Sequence, residues 1–440
     1  MAGRNYLGVL DLTTRNQRLF IQMRRTLKRS RYSIIALASL SVVGLVGLLG
    51  SQFFSKDDSD LVNAKQKKIL ADAIQTMGVA QNFPSDVEIN LGGKKPIHVK
   101  LDYTFDTDLQ HDMESLLKSY GPDYGSVVVL DAATGQILSM ANYQKPPRKT
   151  GGNLALQSTF PSASVFKVVT AAAAIAERNV SANTLIPVNG RYHTLYKSNV
   201  LRDKINRWTR YLTLKDAFAQ SVNSAFGKLG VFTVGPTELR KYAERFGFNR
   251  SIASDLPMEM GRADISDDAW SLAETASGFT RETTMSPLQG ALIAAAVVNE
   301  GKMMEPYVVQ SATADDGKYL YHARSRVSSV TVDPQTANEI RALMRQTVTR
   351  GTSRTSFRGF TRGALSMVDV GGKTGSLTGT EPRGKYDWFI GFAELGNRRV
   401  AVAALTIHEK YWVVKSSYLG RRAIESYFKN QRKVASSNHL

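Results

Sequence analysis

The sequence predicts an α+β fold: one five-stranded antiparallel sheet flanked by helices, plus a helical subdomain. Two observations carry this. β-rich runs occur twice early and three times late in the chain, and the long stretch between them, roughly 164–300, is helix-rich. Strands so far apart share a sheet only if the chain leaves it, builds helices and returns. A third observation, an uncharged run of 23 residues near the N-terminus, adds a membrane-spanning helix to the expectation.

The elements follow in order. Residues 1–31 hold eight Arg and Lys residues against one acid, Asp11. Residues 32–54, YSIIALASLSVVGLVGLLGSQFF, are long enough to cross a hydrocarbon core of about 30 Å. The basic flank assigns the N-terminus to the cytoplasm, so the reading is a cytoplasmic tail, a signal anchor, and everything else on the outer, periplasmic side of the cytoplasmic membrane. Cleavage is the alternative, but no clear Ala-x-Ala site follows the apolar stretch. Residues 55–100 read as a short stalk or subdomain, with a helix near Leu61–Met77 and turns around Pro84 and Gly92–Gly93. The main domain is expected over 101–435. It opens with GSVVVLD and QILSMAN flanking Ala132-Ala133-Thr134-Gly135, a hairpin over 126–142. It closes with GGKTGSLTG, DWFIGFAEL and RRVAVAALTIH, the last two joined by a turn at 395–398, and then an amphipathic helix over Ser417–Phe428.

Composition narrows the chemistry. The 440 residues are 42% hydrophobic and 22% charged, which is ordinary for a globular chain. With no cysteine, disulfides, thiolate metal sites and a cysteine nucleophile are excluded, and the redox compartment is left open. The six histidines are scattered without ligand spacing, so neither a metal nor another cofactor is expected. The net charge of +19 is not laid out with interleaved aromatics as a nucleic-acid surface would be; it fits solubility, or attraction to anionic head groups or acidic wall polymers.

The candidate chemistry lies in PSASVFK, residues 161–167, at the head of an apolar run. A serine hydroxyl is a weak nucleophile until a base takes its proton. Lys167 stands three residues after Ser164, on the same helical face, and can reach it. To act as that base the lysine must be neutral, and burial against Val165, Val168 and Val169 beside a second cation pushes it that way. The pair alone is weak, since Ser115 and Lys118 repeat it. Two further short matches, Ser221-Val222-Asn223 and Lys373-Thr374-Gly375, also have decoys: Ser181-Ala182-Asn183, Ser436-Ser437-Asn438 and Lys149-Thr150-Gly151. Order and setting select one set. The 373–375 copy opens a β run, whereas the 149–151 copy runs into Gly152 ahead of the serine–lysine pair, and Ser181 stands too close to Ser164 for a separate subdomain to intervene.

In that order the three motifs resemble those of the penicillin-binding proteins, in their class B-like, monofunctional form, within the penicilloyl-serine transferases. LDYTFDTDLQ, VVVLDAATGQILSMAN, NLALQSTFPSASVFK, MSPLQGALIAAAVVNEGKMMEPYVV and YDWFIGFA resemble segments of that family, and the likeness covers roughly 101–430. It implies a penicillin-binding transpeptidase/serine β-lactamase-like fold and a membrane-anchored D,D-transpeptidase acting on peptidoglycan stem peptides that end in D-Ala-D-Ala. Ser164 would attack the penultimate D-alanine carbonyl and Lys167 accept its proton. Ser221 would relay a proton to the leaving amine, with Lys373 keeping the field positive, and Asn223 would bind the substrate backbone. Thr374, Gly375 and Ser376 would line the substrate site, the two hydroxyls holding the terminal carboxylate. The N–H groups of Ser164 and Ser376 would form an oxyanion hole, and β-lactams would acylate Ser164.

The chain departs from the family in three places. Ser162-Ala163 stands where Pro-Gly is commoner, Ser376 where threonine is commoner, and ASGFTRETTMSPLQ lacks a frequent Gly-Gln-Gly pattern. Residues 55–100 are too few for a glycosyltransferase domain or the usual long pedestal, so a partner, such as a SEDS-type glycosyltransferase, is expected to polymerise the glycan. A D,D-carboxypeptidase, a β-lactamase and a non-catalytic β-lactam sensor or division scaffold are the alternative readings.

Overall fold

Residues 369–408 form three strands in succession, each pairing with the next because short turns leave antiparallel return as the only route. The computed structural model describes residues 68–437, apart from residues 71, 74–81, 90–95, 148–151, 203, 361 and 363–364, and describes the backbone alone beyond residue 430. The chain divides after Lys65, and every described residue lies in the unit Gln66–Leu440. The expected tail 1–31 and span 32–54 lie outside the described residues; among the described residues no helix is long and apolar enough to cross a membrane. Of the helix expected near Leu61–Met77, residues 68–70 and 72–73 are described, and they are helical.

In chain order the elements that matter are β1 (Asp86–Ile89), β2 (Ile97–Tyr103), α1 (Thr107–Tyr120), β3 (Tyr124–Asp131), β4 (Ile137–Gln144), α2 (Lys167–Arg178), α3 (Leu214–Ala219), α4 (Asn223–Lys228), α5 (Pro236–Arg245), α6 (Ala269–Ser277) and α7 (Pro287–Val298). β5 (Val309–Ala314), β6 (Tyr319–His322), α8 (Pro334–Thr349), β7 (Asp369–Thr380), β8 (Arg383–Leu395), β9 (Arg398–His408) and α9 (Ser416–Ser437) complete them. The main sheet has the order β7-β8-β9-β3-β4, all antiparallel. The five strands anticipated from two early and three late runs therefore do close one sheet. The hairpin expected over 126–142 extends two residues further at each end, and the closing helix runs from Ser416 instead of Ser417 and on to Ser437. Asp131 shapes the hairpin turn, its Oδ1 accepting from the N–H groups of Ala133 and Thr134 and from the Thr134 hydroxyl.

Both faces of this sheet are covered, and strand alternation divides the core in two. Val127 and Val129 face α1 and α9, whose Leu109, Met113, Leu117, Leu419, Ile424 and Phe428 are buried there. Val128 and Leu130 face the other way, toward α7. Each such large side chain removed from water contributes about 1.5–3 kcal/mol. Every residue of α7 is buried, which explains its uniformly apolar sequence: it is a central core helix with no solvent face.

A second sheet, β1-β2-β5-β6, was not foreseen. It pairs the segment read as a stalk with strands more than two hundred residues later, Leu101 opposite Ala312 for example. The boundary expected at residue 100 falls inside β2. Sequence periodicity over a four-residue strand such as β1 is too brief to announce a sheet whose other half is so distant. Helices α2–α6 lie between β4 and the return of the chain, and the 163–166 turn that leads into α2 packs against β7.

Candidate active site

The turn that carries Ser164 is held from three sides. Phe160–Pro161 pairs with Thr284–Met285, the Ser162 N–H donates to the Thr283 carbonyl at 2.8 Å, and the Trp388 indole N–H donates to the Pro161 carbonyl at 2.8 Å. Ala163 then adopts φ +49°, a left-handed conformation that costs an alanine about 1–2 kcal/mol. This is the position where glycine was expected to be commoner, and the reversal it makes starts a tight turn over Ala163–Phe166 that runs into α2. Gly278 caps α6 at φ +64° directly opposite; a Cβ there would stand 2.0 Å from the Ala163 carbonyl oxygen, so only glycine lets α6 come this close.

Lys167 is the first residue of α2 and is fully buried. Its Nζ lies 2.7 Å from Ser164 Oγ, donates to Asn223 Oδ1 at 2.8 Å, and donates to the Ser277 carbonyl. Burial first, and the nearby Lys373 second, hold this amine well below its ordinary value. A neutral amine has two N–H groups and one lone pair. Asn223 Oδ1 and the Ser277 carbonyl can only accept, so they take both N–H groups and leave the lone pair for the serine. The arrangement can therefore draw the proton from Ser164.

Ser221 lies in the link between α3 and α4, and Asn223 is the first residue of α4. The Ser221 and Val222 N–H groups return to the carbonyls of Phe218 and Ala217, and Ser221 sits at φ +55°. Both residues line one cleft, Ser221 bonding to Lys373 and Asn223 to Lys167. Lys373, on β7 and also fully buried, donates to Ser221 Oγ at 3.0 Å and to the Thr374 carbonyl at 2.7 Å; burial lowers its amine to about 7. Gly375 is where the β7 edge touches the serine turn: a Cβ there would lie 3.2 Å from the Ser162 carbonyl oxygen and 3.3 Å from the Ser164 nitrogen. Ser376 follows, exposed on the strand and paired in register with Asp387.

All eight residues singled out from the sequence meet here. Ser164, Ser221, Asn223, Thr374, Gly375 and Ser376 line a cleft of about 910 Å³, and Lys167 and Lys373 bond to its lining serines from within the core. The decoys that the structure describes do not join them: Ser115 and Lys118 are exposed on α1, and Asn183 is exposed beyond the end of α2, where it accepts from Lys215. Lys149–Gly151 and Asn438 lie outside the described residues. Among the described residues no group of three His, Asp or Glu side chains could hold a metal.

Sequence reading missed several contributors. The Ser277 carbonyl carries no residue-type signal at all. Thr352, in the turn after α8, has its hydroxyl 2.5 Å from that of Thr374. His193 lines the cleft, its imidazole held below the ordinary value by burial and by Lys167; a lone histidine in a loop gave no warning. Trp388 and Gly278 do lie in segments that were singled out, YDWFIGFA and ASGFTRETTMSPLQ, but their roles depend on contacts across the fold.

Comparison with known proteins agrees with this geometry. The family model described as "Penicillin binding protein transpeptidase domain" matches residues 125–429. The chain is similar to the peptidoglycan D,D-transpeptidase PbpA of Mycobacterium tuberculosis, 30% identical over 321 residues, covering 65% of this chain and 62% of the relative. It thus spans less than two thirds of the length of the curated relatives it matches first. Among solved structures, the D,D-transpeptidase domain of a peptidoglycan glycosyltransferase from Eggerthella lenta superposes with a TM-score of 0.62 at 26% identity, covering 78% of this chain and 85% of that one. The imipenem acyl-enzyme complex of penicillin-binding protein A from M. tuberculosis gives 0.59 at 26% identity, over 76% and 81%.

Proposed function

The chain belongs to the penicillin-binding protein transpeptidase family, and we propose that it is a serine D,D-transpeptidase that cross-links peptidoglycan stem peptides through an acyl-enzyme on Ser164. The observation that carries this is the amine of Lys167, 2.7 Å from Ser164 Oγ, with both its other partners able only to accept. Ser164 Oγ attacks the carbonyl of the penultimate D-alanine as Lys167 takes its proton. Ser221, bonded to Lys373, delivers a proton to the departing D-alanine amine. Asn223 holds the donor backbone, Thr374 and Ser376 hold the terminal carboxylate, and the N–H groups of Ser164 and Ser376 stabilise the oxyanion, with Gly375 keeping the strand against the serine turn. An amine from a second strand then replaces the serine. Support comes from the name of the M. tuberculosis relative and from the acyl-enzyme formed by imipenem on a structural neighbour.

The reading includes an anchor at residues 32–54 that holds the catalytic domain (101–435 by our division) on the outer face of the cytoplasmic membrane, supported by the uncharged run and its basic flank. It also includes a membrane glycosyltransferase, of SEDS type, as the source of new glycan. Mass spectrometry of the purified chain with a D-Ala-D-Ala peptide and an acceptor amine tests the activity. A Ser164 ester that resolves to the amide is expected. Resolution to the free acid alone, with acceptor present, would make it a carboxypeptidase; turnover of penicillin within seconds would make it a β-lactamase; and no ester at all would leave it a sensor or scaffold.

A further inference from the structure

The cleft does not end at Ser376. It continues past Leu377 and Thr378 to Lys385 and Asp387 on β8, and to Trp412 and Lys415 in the segment between β9 and α9. Thr378 is paired in register with Lys385, two residues beyond the Ser376–Asp387 pair and thus about 7 Å further along the strand. Both ammonium groups rest on one indole, with Lys385 Nζ 4.7 Å and Lys415 Nζ 3.1 Å from the Trp412 ring centroid. Burial is the main force lowering Lys415, and Lys385 adds to it, while Asp387 acts the other way. Asp387 is almost fully buried and is tied to the start of α9, its Oδ2 accepting from the Ser416 N–H at 2.7 Å. On the facing wall the guanidinium of Arg281 donates to the Thr378 carbonyl at 2.8 Å. Among the described residues three cations thus line this arm of the cleft, with Asp387 as its one acid.

Nothing in the acylation half-reaction uses this arm, because the donor peptide ends at the carboxylate that Thr374 and Ser376 hold. The second half-reaction does need it. There the acceptor nitrogen forms a bond to the acyl carbon, the bond from that carbon to Ser164 Oγ breaks, and the proton lost by the amine returns to Ser164 Oγ. This is the first half-reaction run backwards with a different amine, so the attacking nitrogen must enter where the D-alanine nitrogen left. The remainder of the acceptor then extends past Ser376, into the arm.

We propose that the arm formed by Lys385, Trp412 and Lys415 is the acceptor subsite, and that it selects amines bearing a second carboxylate beyond the attacking amino acid. The inference rests on the transpeptidase reading above. A carboxylate placed beside the two ammonium groups relieves their mutual repulsion, and the indole offers an apolar wall to the methylenes that lead to it.

The test is a competition on the full-length protein, with a D-Ala-D-Ala peptide as donor. Two acceptors of equal chain length are supplied together: D-α-aminoadipate, which ends in a carboxylate, and D-norleucine, which ends in a methyl group. Mass spectrometry reads the ratio of the two amide products, from which the rate of donor acylation cancels. The parent is expected to favour aminoadipate about tenfold, the Lys385→Gln/Lys415→Gln variant to bring the ratio close to one, and Lys415→Arg to keep it. A parent ratio near one, or a double variant with the parent's ratio, overturns the proposal. Formation of the Ser164 ester without either amide would instead overturn the transpeptidase reading beneath it.

Discussion

Replacing Lys373 by methionine keeps the length of the side chain and removes its amine, and it should raise stability while abolishing acylation. The amine is fully buried, and burial takes it from an ordinary value of 10.5 to about 7. At about 1.36 kcal/mol per unit, that depression corresponds to a penalty on the order of 5 kcal/mol at neutral pH. The direction follows from proton counts. Between pH 7 and 10.5 the unfolded chain holds a proton on Lys373 that the folded chain has released, so the parent gains stability as pH rises through this window. The contribution is fully present above 10.5 and is lost as pH falls toward 7. Methionine has no such dependence. Against the gain stand the hydrogen bonds to Ser221 Oγ and the Thr374 carbonyl, whose loss costs about 1–3 kcal/mol. The variant should therefore be about 2–4 kcal/mol more stable near pH 7, with an advantage that shrinks toward pH 9.5. Urea unfolding followed by tryptophan fluorescence at both pH values reads this, and labelling with a fluorescent penicillin reads activity. A variant no more stable than its parent at pH 7, or an advantage independent of pH, would mean that Lys373 carries its ordinary charge in the folded protein, and the electrostatic account of the site would fail.

Two further outcomes are expected. Lys167→Arg keeps donors for Asn223 and Ser277 but puts them on a group that cannot lose a proton in the accessible range, so penicillin acylation should fall by about 10²–10⁴-fold; a rate within tenfold of the parent would remove Lys167 from the role of base. Gly278→Ala places a methyl group 2.0 Å from the Ala163 carbonyl at a positive φ, and should cost about 2–4 kcal/mol in thermal unfolding and slow acylation at least tenfold. Unchanged acylation would show that α6 does not set the position of the serine turn.

The legibility of the fold varied with the length of the pattern. α7 and the strands β7, β8 and β9 are long enough for apolar runs and alternation to declare themselves. β1 is four residues long and pairs within a sheet completed by β5 and β6, so nothing local distinguishes it from a linker. The same contrast runs through the site. Ser164 and Lys167 are three residues apart, and one helical turn brings them together wherever that turn forms. Lys373 and Ser221 lie 152 residues apart, and their 3.0 Å contact exists only because β7 and the α3–α4 link face each other across the cleft.

By itself, then, the order of residues determined which side chains could carry the chemistry, because nucleophile, base and hydroxyl relay are residue types set in short recognisable runs. It also determined which runs would be strands and which buried helices, through periodicity. Tertiary structure decided the rest: which of the two serine–lysine pairs is buried, how far that burial moves an amine, and which backbone carbonyl holds it in place. Desolvation and close approach are properties of what surrounds a residue in space, and they have no counterpart in its neighbours along the chain.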